Sequence, residues 1–483
     1  MGTPLVAAGL GMAAAYYLCC LWANPAAFLL CMLAACVTAS AAISCFSPAP
    51  FHKGFSTRLI CLCLACGLSA GALVYRREVQ AKEALFWGFA EKRIAGFSCC
   101  VQSDSSPGKN GAVLAQVTIT GIWDIAGNYA KTENRVLAFF REEAKNLSPP
   151  PGYTAGGRGN LSGAAGRPPG LRFFQGQTLR ISGSLSRGEN GELFLFVRSV
   201  RVETEPSAFF TLRKNMLLKI ESVITSFEIR PFRSAWPGLF AALLLGNQQY
   251  LDTQLADRFR QAGTVHILAL SGMHLGLLAL LVQLLLRPFF HGRAADCIVL
   301  VMVGVYLWLA GPRPSLVRAA IMFALYIILS LCDRKPGLLV LLAFTFIVSA
   351  VIFPEDLRSL SFILSYLAML GILLGTAPIK RFVMRWMPGA IATPFAISVA
   401  AQAAVSPVLL ARFGLLYPGG IPASMALGPL VTVFMWTGIL ACISTALPFA
   451  HPASWVLSFA MKFLYAAIGF VVDICAHIPP IAP

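Results

Sequence analysis

Charged side chains are scarce in this chain: Asp, Glu, Lys and Arg make up 12% of it, against about 25% in a soluble globular domain. That balance excludes an ordinary water-soluble fold for most of the length and points to lipid as the solvent. Histidine is sparse too. The six histidines, at positions 52, 266, 274, 291, 451 and 477, never form a His-x-His-x-Asp-His cluster, so neither a metal site nor a cofactor is expected. The 14 cysteines offer no convincing zinc spacing. Cys61 and Cys63 form a C-x-C, Cys99 and Cys100 are adjacent, and the run from Cys19 to Cys66 lies in apolar blocks where a thiol packs as a small hydrophobe. The first apolar block, Pro4 to Trp22, has no basic leader and no clear cleavage site, and so reads as a retained span rather than a secretory signal.

What is present is apolar and comes in blocks. Hydrophobic residues are 57% of the chain, and many blocks reach the roughly 20 residues that match the hydrocarbon core of a bilayer. Three spans are expected over 4–23, 26–46 and 58–75. Eight more are expected over 264–286, 296–311, 316–332, 337–353, 360–378, 390–411, 421–447 and 453–478. The expected fold is therefore a polytopic α-helical membrane protein of about eleven spans, with a small extracytoplasmic β-domain inserted. The short apolar piece Pro237 to Leu245 is too brief to cross and fits a re-entrant segment.

Four regions follow: N-terminal spans (1–75), the β-domain (76–206), a juxtamembrane helix (207–235) and a larger membrane domain (236–483). In the β-domain, strands are expected at Val113–Trp123, Val136–Phe140, Thr178–Leu185 and Glu192–Val202, from their alternation and their β-branched and aromatic content. Asn190-Gly191 signals a hairpin between the last two. An OB-type barrel and an irregular sandwich both fit. Ser148 to Gly170 reads as a Pro/Gly-rich disordered loop. Over Phe209–Arg233, Met216, Ile220, Val223 and Ile224 share one helical face, with Lys214, Lys219 and Glu221 polar. Such a helix lies on the membrane surface or packs on the β-domain.

The net charge of +17 divides almost evenly. Residues 76–235 hold 22 Lys and Arg against 14 Asp and Glu, a moderate excess that permits a polyanion partner without demanding one. In the membrane part, the loops holding Arg287 and Arg293, Arg334 and Lys335, and Lys380, Arg381 and Arg385 fall on one side and mark it as cytoplasmic. The same count places the β-domain outside, although Arg76 and Arg77 then sit on the outer side.

The strongest local signal is the segment from Gly263 to Gly276. His266, Ser271 and His274 stand at the start of an apolar span, where polar groups are costly and need partners. Ser271 and His274 share a helix face, and Gly272 with Gly276 forms a Gly-x-x-x-Gly that admits a second helix closely. A packing motif with interfacial histidines explains the same residues.

Here the chain resembles a known family. Leu243-Leu244-Leu245-Gly246-Asn247, Arg258 with Ala262-Gly263, and His266-Ile267-Leu268-Ala269-Leu270-Ser271-Gly272-Met273-His274 are similar to the membrane competence domain of ComEC-type DNA-uptake proteins. Arg313-Pro314-Ser315-Leu316-Val317-Arg318-Ala319, Leu360-Ser361-Phe362-Ile363-Leu364-Ser365-Tyr366, and Ala400-Ala401-Gln402 through Pro407 to Phe413-Gly414 fit the same family in order. The resemblance covers roughly 236–440. It implies a channel in the bacterial cytoplasmic membrane that passes one strand of incoming DNA, with no enzymatic step.

The implied partners are single-stranded DNA, membrane lipid, a separate nuclease, a DNA-pulling helicase and further copies of the chain. Many members carry a C-terminal metallo-β-lactamase-like domain; this sequence stops at Pro483, so the nuclease is expected from another chain. Where the family often has Asn, this chain has Ser424. Candidate path residues are Ser315 and Arg318 after the Pro312/Pro314 break, Ser361 and Ser365 one turn apart, and the stripe Ser398, Gln402, Ser406. Interhelical hydrogen bonding is the other reading of each stripe. Lys462 and Asp473 share a face without an assigned role. A transporter of another substrate and a membrane-embedded hydrolase using His266, Ser271 and His274 are the competing functions.

Overall fold

Alternating apolar residues give the N-terminal part of the described chain its sheet. The structure, a computed structural model, describes residues 94–481 apart from 108–112, 125–128, 141–171, 188–192, 205, 228–234, 291, 333–336, 354–355, 358 and 447–450. The three expected N-terminal spans, Arg76, Arg77 and the Pro/Gly-rich loop lie outside the described residues. The chain divides into two compact units, with the division falling between Ser222 and Val223; Asn247–Gln249 group with the first unit.

The first unit contains β1 (Ile94–Val101), β2 (Ser106–Pro107), β3 (Val113–Asp124), β4 (Tyr129–Phe140), β5 (Thr178–Arg187) and β6 (Leu193–Thr204). The strand order is β1-β5-β6-β4-β3-β2, and β1 also pairs with β3, so the pairings of the five long strands return to their starting strand. The β4–β6 pair is parallel; the others are antiparallel. The turn at Asn190-Gly191 lies outside the described residues, but its flanking strands pair with Arg187 opposite Leu193. One side of each strand fills the core, with Phe97, Cys99, Val117, Ile119, Phe140, Leu179, Ile181 and Leu195 all buried. Burial, with Cys100 next to it, pushes the Cys99 thiol up to about 12, which makes it a packing group.

Two expectations for this unit need correction. β4 begins seven residues earlier than expected, because Tyr129–Arg135, rich in poor strand formers, is held by its register with β3. In the helix α1 (Ala208–Ser226), Glu221 is not on a solvated face but buried, as is Arg213. Each charge is matched: Arg213 forks onto Asp104 at 2.9 and 2.7 Å, and Arg172 forks onto Glu221 at 2.6 and 2.6 Å. Bidentate geometry of this kind is what allows ions to be buried.

The second unit is helical. Its elements are α2 (Trp236–Leu245), α3 (Thr253–Gln261), α4 (Val265–Leu268), α5 (Gly272–Leu286), α6 (Arg293–Ala310), α7 (Pro314–Leu331), α8 (Leu338–Ile352), α9 (Leu360–Val383), α10 (Gly389–Phe413), α11 (Gly420–Ala446) and α12 (His451–Ala476). Among the described residues, six of these are long and apolar enough to cross a membrane: α6, α7 and α9 to α12. The chain is a multi-pass membrane protein. α5 and α8 are apolar but shorter, at 15 residues each. The expected span over 264–286 is in fact interrupted: α4 makes one turn, Ala269 is extended, and α5 starts afresh after the extended Ser271.

Close helix contacts follow small residues. A Cβ on Gly371 would lie 2.4 Å from the Ala404 Cβ, and one on Gly375 would lie 3.0 Å from the Ala400 Cβ. Gly371-x-x-x-Gly375 on α9 thus meets Ala400-x-x-x-Ala404 on α10, so the two backbones approach closely.

Candidate functional site

The Leu243–Asn247 run ends α2, a helix in the interior of the second unit. Ten residues cannot span a bilayer, and nine of these ten are buried in protein, with Trp236, Phe240 and Leu243 at 0% exposure. The carbonyls at the end of a buried helix need donors. The Tyr306 hydroxyl donates to Leu244 O at 2.8 Å, and Arg313 Nη2 donates to Gly246 O at 3.2 Å. Gly246 takes φ +69° and lies under the Arg313 guanidinium, which would clash with any Cβ there. The Leu-Leu-Leu-Gly-Asn run is thus a helix terminator with its partners on α6 and just before α7.

The interruption before α5 places its polar residues. Ser271 is the residue preceding the helix and not part of its face. Its backbone N–H donates to His274 Nδ1 at 3.1 Å, and its Oγ lies 3.1 Å from the same nitrogen. Nδ1 accepts, so the neutral ring carries its proton on Nε2. That nitrogen is buried and has no hydrogen-bond partner among the described residues. His266 lies on α4, away from this cap. Its Nε2 is 3.5 Å from the hydroxyl of Ser424 on α11.

Gly272, the first residue of α5, faces α7: a Cβ on it would lie 2.7 Å from the Ala319 Cβ and 3.7 Å from Arg318 Nη2. Among the described residues, a Cβ on Gly276 would meet nothing from another element within 4 Å, so among them only the first glycine of that pair makes a helix contact. Arg318 is 7% exposed. It donates through Nη1 to the Ser365 carbonyl on α9, its Cζ lies 5.5 Å from the centre of the Tyr366 ring, and its Nε has no partner among the described residues. It makes no ion pair with a carboxylate among them. Ser315 and Ser365 Oγ are 3.3 Å apart, and Tyr366 Oη lies 3.2 Å from Ser349 Oγ on α8. The start of a helix favours anions, and here a guanidinium stands beside it.

The structure therefore brings Ser271, Gly272, His274, Ser315, Arg318 and Ser365 together from α5, α7 and α9. It leaves Ser361 exposed. Ser398, Gln402 and Ser406 lie on α10, where Ser406 Oγ donates back to Gln402 O at 2.6 Å within its own helix. Ser349 and Tyr306 were not singled out in the sequence; Tyr366 and Arg313 were legible only as ends of the Leu360–Tyr366 and Arg313–Ala319 motifs. Asp473 gains a role, lying 3.2 Å from Arg258 Nη1 in an exposed ion pair. Among the described residues, no group of three His, Cys, Asp or Glu side chains is placed to hold a metal.

A family model described as Competence protein matches residues 243–482. The chain is 26% identical over 246 residues to ComE operon protein 3 of Bacillus subtilis, covering 51% of this chain and 30% of that one. An uncharacterized protein of Aquifex aeolicus is 29% identical over 237 residues, covering 48% and 53% respectively. The uncharacterized protein YcaI of Escherichia coli is 25% identical over 133 residues, covering 26% and 17%. The matched segments thus span about half or less of the relatives' own length. No solved structure matches the chain.

Proposed function

Because residues 243–482 make the chain a member of the Competence protein family, we propose that it passes single-stranded DNA across the bacterial cytoplasmic membrane during DNA uptake. The observation that carries this reading is Arg318. Arg318 is the fifth of the 18 residues of the span α7; the about 2.5–3.5 kcal/mol that insertion scales give a guanidinium at a span's centre is an upper bound there, and such a charge is retained where a partner or a path requires it. Among the described residues Arg318 has no carboxylate partner and its Nε is open, and a helix start lies beside it. These features suit a phosphodiester that visits rather than a fixed partner that stays. In this reading His274 Nε2–H and the Ser315–Ser365 hydroxyls supply further donors to the passing backbone.

The five-strand pairing of the first unit, with one parallel pair between β4 and β6, supports an OB-like barrel on the outer side that receives the strand. The chain makes and breaks no covalent bond; a separate nuclease, a DNA-pulling helicase and further copies of the chain complete the machine. The Arg318 site would accept other organic anions equally well, so the test measures DNA directly. Cells lacking the gene are complemented with wild type, Arg318→Lys or Arg318→Gln, and nuclease-protected labelled DNA is counted. Arg318→Gln should lower DNA entry by about tenfold or more, the scale of one lost charged contact, at unchanged protein level, with Arg318→Lys intermediate. Wild-type entry with well-expressed Arg318→Gln rejects the reading.

A further inference from the structure

The outer face of the first unit carries a transverse row of residues fixed by strand register. Arg201 on β6 stands opposite Arg180 on β5, Arg180 opposite Ser98 on β1, Ser98 opposite Gly121 on β3, and Gly121 opposite Lys131 on β4. Four inter-strand steps of about 4.8 Å carry this row roughly 19 Å around the sheet. It starts and ends on a cation, and its centre has almost no side-chain height.

Into that low centre lie two aromatic rings. Trp123 is opposite Tyr129 in the β3–β4 register, and their rings are 4.8 Å apart. Trp123 Nε1 donates to Ser98 Oγ at 3.1 Å, and the Arg180 Cζ lies 4.5 Å from the centre of the Trp123 ring. The Tyr129 ring occupies the space that a Cβ on Gly121 would need, with ring atoms at 2.1–2.3 Å from that position. Covering a strand glycine in this way explains where the ring sits. It leaves unexplained the half of Tyr129 that stays in water, at 50% exposure, on a face rimmed by three cations. Among the described residues one carboxylate opposes them: Glu203 lies 3.8 Å from Arg180, and both side chains are partly exposed.

We propose that Trp123, Tyr129 and Arg180 form a stacking platform for the bases of single-stranded DNA, with Arg201 and Lys131 holding the phosphates on either side. This deepens the function proposed above and rests on it. Aromatic faces bind every base, and the flanking cations follow the backbone, so the platform is indifferent to sequence. Charge complementarity favours a polyanion, and the rings require one that carries bases.

The test uses the detergent-solubilised full chain and two labelled probes of about 16 nucleotides, oligothymidine and an abasic strand of the same length. Oligothymidine should bind about tenfold or more tightly than the abasic strand, the contribution of stacking. Tyr129→Leu and Trp123→Leu should each remove most of that difference while leaving abasic binding unchanged, and Trp123→Phe should keep it. Equal binding of the two probes by wild type overturns the platform, as does full oligothymidine affinity in Tyr129→Leu. In either case the DNA-entry reading stands, since it is judged by the Arg318 variants in cells. Wild type that binds neither probe at low salt overturns the platform and removes the outer unit from the reading.

Discussion

Gly272 shows how much can turn on one hydrogen atom. Its place against Ala319 leaves no room for a methyl group: the two Cβ atoms would be 2.7 Å apart. Gly272→Ala should therefore separate α5 from α7 and lower the melting temperature of the solubilised protein, at a cost of about 1–3 kcal/mol for overpacking. Ala319→Gly should restore most of it in the double variant, because it vacates the same space. Additive losses in the two singles and the double, read by thermal unfolding, would mean that the two residues do not share a contact. The sequence made Gly272 and Gly276 look equivalent, and only the fold distinguishes them, since a Gly-x-x-x-Gly spacing says that a face is small but not how far the neighbouring helix follows it.

At the level of the elements, apolar block length was legible and interruptions were not. Among the described residues, six helices long enough to cross lie where spans were expected and α5 and α8 are shorter helices in two more such places, because blocks of hydrophobic residues leave the backbone no other way to satisfy itself in lipid. The break between α4 and α5 has no proline to announce it, and its only mark is the serine, a residue favoured just before a helix. For β4, local propensity argued against a strand over Tyr129–Arg135, and pairing with β3 prevailed. α1 showed charge where burial was not expected, since Arg213 and Glu221 are paired to residues more than forty positions away. Asp104→Ala removes the carboxylate matched to buried Arg213. It should destabilise the unit by about 3–5 kcal/mol, whereas Asp104→Ala with Arg213→Met should recover much of the loss. Thermal unfolding of the purified chain checks both, and equal stability of wild type and Asp104→Ala would refute the pairing as an anchor.

For the whole molecule, the charge pattern of the loops predicts orientation. Reporter fusions after Arg293, Lys335 and Arg385 should read cytoplasmic, and fusions within 100–200 should read external. A cytoplasmic β-unit would defeat the receipt of DNA from outside. The polar site was partly legible: Ser271, Gly272, His274, Ser315, Arg318 and Ser365 were chosen from their places in apolar blocks, and the fold gathers them. Ser361 and the α10 stripe were chosen by the same reasoning and do not join them. Helical spacing places a residue on a face without saying which neighbour that face meets.

One feature of α5 and α8 bears on the lipid itself. Fifteen residues rise about 22 Å, while the hydrocarbon layer is about 30 Å thick. Bilayer beside two such helices has to thin, or admit headgroups and water to the level of their ends. Under the proposed function, the stretch that a charged polymer would cross without solvent is then shorter beside these helices than in the surrounding membrane. In that reading, mismatch of helix length with lipid lowers the dielectric barrier before any side chain touches the DNA.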